Sequence, residues 1–347
     1  MAPAHTPAGS PGADYRPTRR IEGRPRVFVT RRLLPETEAR MAELFDVTLN
    51  PDDRALSQDE IRAAMQEAHV LVPTVTDRID AELIAAAGPQ LGLIASFGAG
   101  TDHIDLAAAR ARKILVTNTP GVFTDDTADM TMGLIIAVSR RLAEGGRVIR
   151  SGDWAGWAPS TLLGHRISGK RLGIIGMGRI GQAVAHRARA FGLEVVYHNR
   201  QRLPEAFERM VGARYEADID TLVSEADIVT LHCPSTPETH FLMDARRIAL
   251  MKPEAYLVNT ARGDVVDENA LIEALQAGRI GGAGLDVFAH EPKIDQRLLA
   301  LGNVSLLPHM GSGTFEGRTA SGDKVIANIR FWADGHRPPD QVLEGWA

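Results

Sequence analysis

The run Arg171-Leu172-Gly173-Ile174-Ile175 leads without a break into Gly176-Met177-Gly178-Arg179-Ile180-Gly181. A short apolar run of this kind predicts a buried strand, and the Ala-rich stretch over 180–191 predicts a helix. Between them Gly176 permits a tight turn, and Gly178 lets the backbone approach a pyrophosphate. Gly181 lets helix and strand pack closely, while the helix N-terminus favours the phosphate charge. A lone GxGxxG is weak evidence. A strand before it and a helix after it make it a dinucleotide-binding fingerprint. The earlier turn Gly98-Ala99-Gly100 carries His103 where the third glycine would stand, so it is a poor second site.

The same alternation extends in both directions. Upstream, strands are expected at 27–30, 70–73, 91–96 and 115–117, with helices over 35–45, 58–67 and 80–87. Downstream, strands are expected at 194–198, 227–231, 255–259, 282–286 and 304–307, with helices over 204–210 and 267–277. Short apolar runs alternating with amphipathic helices indicate parallel α/β units. One long helix, over about 124–151, reads as the connector between two α/β halves. With 347 residues, at roughly 150 per domain, two domains are expected.

Composition narrows the class. Lys and Arg total 39 against 44 Asp and Glu, a net charge of −5, so the chain lacks the basic surplus of a nucleic-acid binder. Its longest clean apolar stretch, 133–138, is far short of the ~20 residues that span a bilayer. Cys233 is the single cysteine, which fits a reducing, cytoplasmic compartment. Residues 1–24 hold Pro3, Pro7, Pro11 and Pro17 and almost no large apolar residue, so a disordered tail without a secretory leader is expected.

The strand after the glycine loop ends in Tyr197-His198-Asn199-Arg200-Gln201-Arg202. An acid here would bind the ribose 2′-hydroxyl of NAD and repel a 2′-phosphate. Asn199 is neutral and two arginines follow. Arg200 and Arg202 could pair with a phosphate, which favours NADP. Arg200 could also simply stack on adenine, which leaves NAD as the alternative.

Three polar residues stand at the ends of later strands, where open α/β sheets bind ligands. Arg262, in Asn259-Thr260-Ala261-Arg262-Gly263, can clamp a carboxylate and polarise an adjacent carbonyl, or can serve a surface ion pair. Glu291 lies in Ala289-His290-Glu291-Pro292 and His309 in Leu307-Pro308-His309-Met310-Gly311. A carboxylate beside an imidazole favours its charged form and prepares a general acid. His290 is a competitor with less suggestive flanks. His232-Cys233 are adjacent rather than spaced for a metal, and no HExxH, CxxC, GxSxG or P-loop pattern occurs, so no metal is expected.

With these residues assembled, the chain resembles the D-isomer-specific 2-hydroxyacid dehydrogenase family. The matching motifs are GMGRIG at 176–181, NTARGDVVDENAL at 259–271, GLDVFAHEP at 284–292 and LLPHMGSGT at 306–314. The resemblance covers about 26–340. It implies two Rossmann-like or flavodoxin-like domains with parallel sheets. The substrate domain would be built from 25–120 and 311–347, and the dinucleotide-binding domain, 121–310, inserted into it.

The resemblance also implies that Arg262, Glu291 and His309 are the catalytic trio, and that Ala99 and Gly100 hold the substrate carboxylate through backbone amides. It assigns Arg179 and Ile180 to the pyrophosphate, His232, Cys233 and Pro234 to the adenosine pocket, Thr127 to the bound cofactor and Asp286 to the nicotinamide carboxamide. Thr260, His309 and Gly311 join that cofactor set. Within the family the glyoxylate/hydroxypyruvate reductases look most similar. Gly152-Asp153-Trp154-Ala155-Gly156-Trp157 resembles their dimerisation segment, which implies a homodimer in which Trp157 reaches the partner's site. Glu291, rather than Gln, disfavours formate oxidation.

The expected reaction is NAD(P)H-dependent reduction of a small 2-oxo acid in an interdomain cleft, with the proton from His309. Oxidation of D-lactate, D-glycerate or phosphite is an alternative on the same fold. A nicotinamide-sensing corepressor is the alternative without catalysis.

Overall fold

The computed structural model describes residues 20–343. They fall into two compact units: those up to Val122 together with those from Phe315 onward, and Phe123–Thr314. The division therefore runs at 122/123 and 314/315 rather than at the expected 120/121 and 310/311.

The first unit contains β1 (Arg26–Val29), α1 (Pro35–Leu44), β2 (Asp46–Thr48), α2 (Gln58–Glu67) and β3 (Val70–Val72). It continues with α3 (Ala81–Ala85), β4 (Leu93–Ala95), α4 (Leu106–Ala111) and β5 (Leu115–Thr117). The sheet order is β2-β1-β3-β4-β5, and every ladder is parallel. Alternate strand residues face opposite ways. Val70 and Val72 join Met41 and Phe45 on one face, while Leu71, Ile94 and Val116 join Ile61, Met65 and Leu83 on the other. Covering on both faces explains why these strands read as unbroken apolar runs.

The second unit opens with α5 (Thr124–Ser139) and α6 (Leu142–Ser151), followed by β6 (Arg171–Ile175), α7 (Arg179–Ala190), β7 (Glu194–His198), α8 (Glu205–Val211) and β8 (Ala213–Tyr215). Next come α9 (Ile219–Glu225), β9 (Ile228–Leu231), α10 (Ala245–Leu250), β10 (Tyr256–Asn259), α11 (Glu268–Gln276), β11 (Gly282–Leu285), α12 (Gln296–Leu299) and β12 (Val304–Leu306). Its seven parallel strands run β12-β11-β10-β9-β6-β7-β8. The order reverses between β6 and β9, and such a switch point is where open α/β sheets form their ligand crevice. α5 and α7 cover one face through Met132, Ile135, Val184 and Ala188. α9, α10 and α11 cover the other through Leu222, Ile248 and Leu271.

The expected single helix over 124–151 is instead two. The Ser139 carbonyl accepts the N–H of His165 at 2.8 Å, which takes one of the acceptors that would continue the helix. Arg141 then adopts a left-handed φ of 56°, and α6 begins in a new direction. Nothing in the local composition signals this, because the capping group comes from a loop more than twenty residues away.

The last helix, α13 (Phe315–Ala333), returns to the first unit, where Val325, Ile329 and Trp332 complete the core beside β1, β3 and β4. Beyond it, Val342 N–H bonds to Val116 O at 2.9 Å and Gln341 pairs with Thr117, so the chain covers the β5 edge. Asp340 secures that segment by accepting from Lys324 Nζ at 2.8 Å and Asn328 Nδ2 at 3.2 Å. The strands β2 and β8 and the helices α4, α9, α10, α12 and α13 have no counterpart in the sequence reading. The two strands are three-residue edges, and α13 is interrupted by Gly317 and Gly322. A Cβ at Gly322 would lie 2.5 Å from Thr37 Oγ1, so a small residue is what lets α13 approach α1.

The expected tail needs a correction at its end. Residues 1–19 lie outside the described residues, but Ile21 packs on the first unit's core and donates its N–H to Ala333 O at 3.0 Å.

Gly92 tests how α13 closes this core. A Cβ there would stand 2.5 Å from Trp332 Cζ2. Gly92→Ala is expected to cost about 1–3 kcal/mol by overpacking. A calorimetric scan should show a lower melting transition, and an unchanged one would mean that Trp332 is loosely held.

Candidate active site

Three strand ends in the second unit build the site. β10 ends in Asn259, whose side chain ties the next turn: its Nδ2 donates to Arg262 O at 2.8 Å and its Oδ1 accepts Ala261 N–H at 3.0 Å. Arg262 follows, with one guanidinium nitrogen on Ala261 O at 2.8 Å. Gly263 then lies so close to the Phe288 carbonyl that any side chain would overlap it. That approach sets the Arg262 turn against the loop carrying Glu291.

Glu291 accepts the Phe288 N–H on Oε1 at 3.0 Å, and its Oε2 lies 2.7 Å from His309 Nδ1. A carboxylate only accepts, so Nδ1 carries the proton and Nε2 is left to face a substrate. Burial opposes the charge on Glu291. The His309 and Phe288 hydrogen bonds and the charges of His309 and Arg262 outweigh burial and hold its carboxyl below the usual range. All three expected catalytic residues are thus brought into one electrostatic cluster. His290 is exposed, and it is His309 rather than His290 that Glu291 holds.

His309 has a left-handed backbone, φ 52°, a conformation that costs a non-glycine residue about 1 kcal/mol or more. Asp286, just past β11, supplies the restraint. Its carbonyl accepts the His309 N–H at 2.8 Å, and its carboxylate accepts those of Met310 at 2.8 Å and Gly311 at 2.7 Å. Burial raises the Asp286 carboxyl, and the two amide bonds oppose that rise. Resemblance implies a nicotinamide contact for this residue. In the structure each carboxylate oxygen already holds one backbone amide, an anchoring role the sequence does not display.

Thr127 and Gly311 lie together, since a Cβ on Gly311 would reach Asp286 Oδ2 at 2.9 Å and Thr127 Cγ2 at 3.6 Å. Thr131, which the sequence reading missed, links this group to the β10 turn. Its hydroxyl donates to Thr127 O at 2.7 Å and lies 2.9 Å from that of Thr260. The available signal was a second threonine one helical turn from Thr127 in an apolar helix.

The glycine loop lies beyond β6. Gly176 has φ +98° and presses on the His232–Cys233 backbone, where a Cβ would stand 2.6 Å from the His232 carbonyl carbon. Gly178 precedes α7 with no side-chain cap and open space where a Cβ would point, and any side chain at Gly181 would overlap the Gly176 carbonyl. This is the cradle a pyrophosphate needs: uncapped amides at a helix N-terminus with nothing filling the approach. Arg179 is exposed there and Ile180 is half-buried. His232 Nε2 lies 3.0 Å from Thr230 Oγ1, while its buried Nδ1 has no hydrogen-bond partner. Burial pushes this imidazole down to about 3 and the Cys233 thiol up to about 11, so both stay neutral. The Pro234 carbonyl accepts the Thr239 hydroxyl at 2.6 Å.

At the end of β7, Arg202, expected to pair with a phosphate, has a protein partner. It is paired with Glu208 through Nε at 2.9 Å and a terminal nitrogen at 2.8 Å. Asn199 Nδ2 donates to Gln201 O, two residues along, at 3.0 Å. Arg200 is exposed and makes no hydrogen bond or ion pair among the described residues.

Ala99 and Gly100 belong to the first unit, in the loop after β4, where Asn118 Nδ2 donates to Ala99 O at 2.7 Å. Trp157 is 85% exposed on the segment after α6. Among the described residues no helix is long and apolar enough to cross a membrane.

The profile described as D-isomer specific 2-hydroxyacid dehydrogenase, NAD binding domain, matches residues 132–311. A glyoxylate reductase of Thermococcus litoralis is 46% identical over 324 residues, 92% of this chain and 97% of its own. The chain belongs to the D-isomer specific 2-hydroxyacid dehydrogenase family. Among solved structures of similar proteins is an NADPH-dependent glyoxylate/hydroxypyruvate reductase from Sinorhizobium meliloti in complex with NADP and malonate. It is 34% identical with a TM-score of 0.83, covering 93% of this chain and 98% of that one. A glyoxylate reductase from Paecilomyes thermophila is 31% identical with a TM-score of 0.83, covering 93% and 99%. In this family member, then, the glycine cradle belongs to a nicotinamide-dinucleotide domain.

The Asp286 bracket can be tested directly. Asn at 286 keeps one acceptor but turns an N–H toward the second amide, so the His309 loop should shift. Asp286→Asn is expected to lower kcat about 100-fold, the scale of a misplacement of about 1 Å, with the chain still folded by circular dichroism. Retention of full kcat would remove Asp286 from this role.

Proposed function

We propose that the chain reduces a small 2-oxo acid of the glyoxylate or hydroxypyruvate kind to the 2-hydroxy acid, using NADP(H) ahead of NAD(H). The observation that carries this reading is the His309–Glu291 pair at 2.7 Å with the Arg262 charge acting on the same carboxylate. The named glyoxylate reductases among its relatives support the substrate class.

The dinucleotide, when bound, supplies the hydride. Gly176, Gly178 and Gly181 and the amides opening α7 would hold its pyrophosphate, with Arg179 and Ile180 alongside. Asn199 and Arg200 would face the adenine ribose, and Thr127, Thr260, Asp286 and Gly311 the nicotinamide end. Arg262 clamps the substrate carboxylate and polarises the neighbouring carbonyl. His309 donates the Nε2 proton to the carbonyl oxygen as it gains charge, while its Nδ1 keeps its own proton in the hydrogen bond to the Glu291 carboxylate. A solvent proton then restores the imidazolium.

The pH dependence follows from these roles. Reduction needs the His309 proton and the ionised Glu291 that holds the imidazole. Because the Glu291 carboxyl is depressed, the pair persists through mildly acidic pH and is lost only below the ordinary carboxylate range.

Absorbance decay of NADPH and of NADH with glyoxylate and hydroxypyruvate is the decisive measurement. Faster turnover with NADPH is expected, and His309→Gln should lose about 10²–10⁴ in kcat while still binding cofactor. No decay with either cofactor would overturn the reading.

The same reading includes a cytoplasmic homodimer. α6 buries none of its residues, yet Leu142, Ile149, Trp154, Trp157 and Leu163 stand exposed along it and the following segment. Exposed apolar clusters of this kind mark protein interfaces. Light scattering should give a dimer, and Ile149→Asp should shift it toward monomer.

A further inference from the structure

The loop that receives the adenine ribose is tied down by a buried acid that the catalytic reading leaves unused. Glu208, on α8, is 7% exposed. It accepts three hydrogen bonds: one from Tyr197 Oη at 2.7 Å and two from the Arg202 guanidinium at 2.9 and 2.8 Å. Tyr197, fully buried at the end of β7, in turn accepts the Leu203 N–H at 2.9 Å. The Arg202 guanidinium lies 5.7 Å over the Tyr215 ring, and the Tyr215 hydroxyl donates to Asn199 O at 3.2 Å. The turn over 199–203 is therefore held at both ends by tyrosines, with one ion pair between them. A buried carboxylate without donors is costly, so Glu208 competes with any incoming phosphate for the Arg202 fork. Arg200, two residues earlier, has no such tie.

We propose that Glu208 is a specificity-determining positioning residue, which holds Arg202 away from the 2′ position so that Arg200 alone supplies the cation there. NADP preference is then set by one arginine rather than two, and its strength is limited by Glu208. This rests on the reading of the fold's dinucleotide site, but its test does not require turnover.

Fluorescence titration with NADPH and with NADH measures both affinities directly. Glu208→Gln keeps one acceptor for Tyr197 and removes the charge that holds Arg202. NADPH affinity should rise about tenfold relative to NADH. In Glu208→Gln combined with Arg202→Met that gain should disappear, because the released cation is gone. An unchanged affinity ratio in folded Glu208→Gln, or a gain that survives in the double variant, would overturn the proposal. Should Glu208→Gln not fold, Arg202→Met alone decides. A fall in the NADPH-to-NADH affinity ratio of less than threefold supports a cation already held off the phosphate, and a tenfold or larger fall shows a direct phosphate contact. Absence of turnover with glyoxylate or hydroxypyruvate, alongside these affinity shifts, would sink the substrate reading and leave this one standing.

Discussion

One buried carboxylate holds the chemistry in place. Asp286 grips the backbone of the loop after β12 at three points, through its own carbonyl and both carboxylate oxygens. Without that grip, nothing in the peptide would favour a left-handed backbone at His309. With it, the imidazole is turned so that Nδ1 meets Glu291. Hydrogen bonds to a charged acceptor contribute about 1.5–3 kcal/mol each, comparable with the backbone strain they offset.

Close backbone approach is the second constraint, and glycine makes it possible. Gly263 lets the Arg262 turn press on the loop that leads to Glu291, while Gly176 and Gly181 let β6, α7 and the His232 loop converge. Both sets lie at the C-terminal ends of parallel strands, where the sheet order leaves room for a ligand. The active site and the dinucleotide cradle are thus consequences of one sheet. Arg262, Glu291 and His309 come from loops following three adjacent strands, β10, β11 and β12.

Charge is distributed so that its strongest groups are held by protein. Glu291 is kept ionised by His309 and Arg262, and Glu208 is held at about 2 chiefly by Arg202, with Tyr197 adding to the effect. In the first case the carboxylate orients an imidazole. In the second it gives an arginine a partner within the protein.

The α/β class, the glycine cradle and the identity of Arg262, Glu291 and His309 as candidates were legible in the sequence. They follow from local rules: apolar runs of strand length, glycines at fixed spacing, polar residues just past strand ends. Tertiary structure decided the rest. The break at Arg140–Arg141 depends on His165, and α13 is a core helix because Gly322 and Gly92 leave it room against Thr37 and Trp332. The anchoring role of Asp286 needs amides twenty-four and twenty-five residues away. Arg202 is a positioned ion pair because Glu208 is buried beside it. Each of these is a contact between distant segments, and periodicity along a chain carries no information about which distant groups will meet.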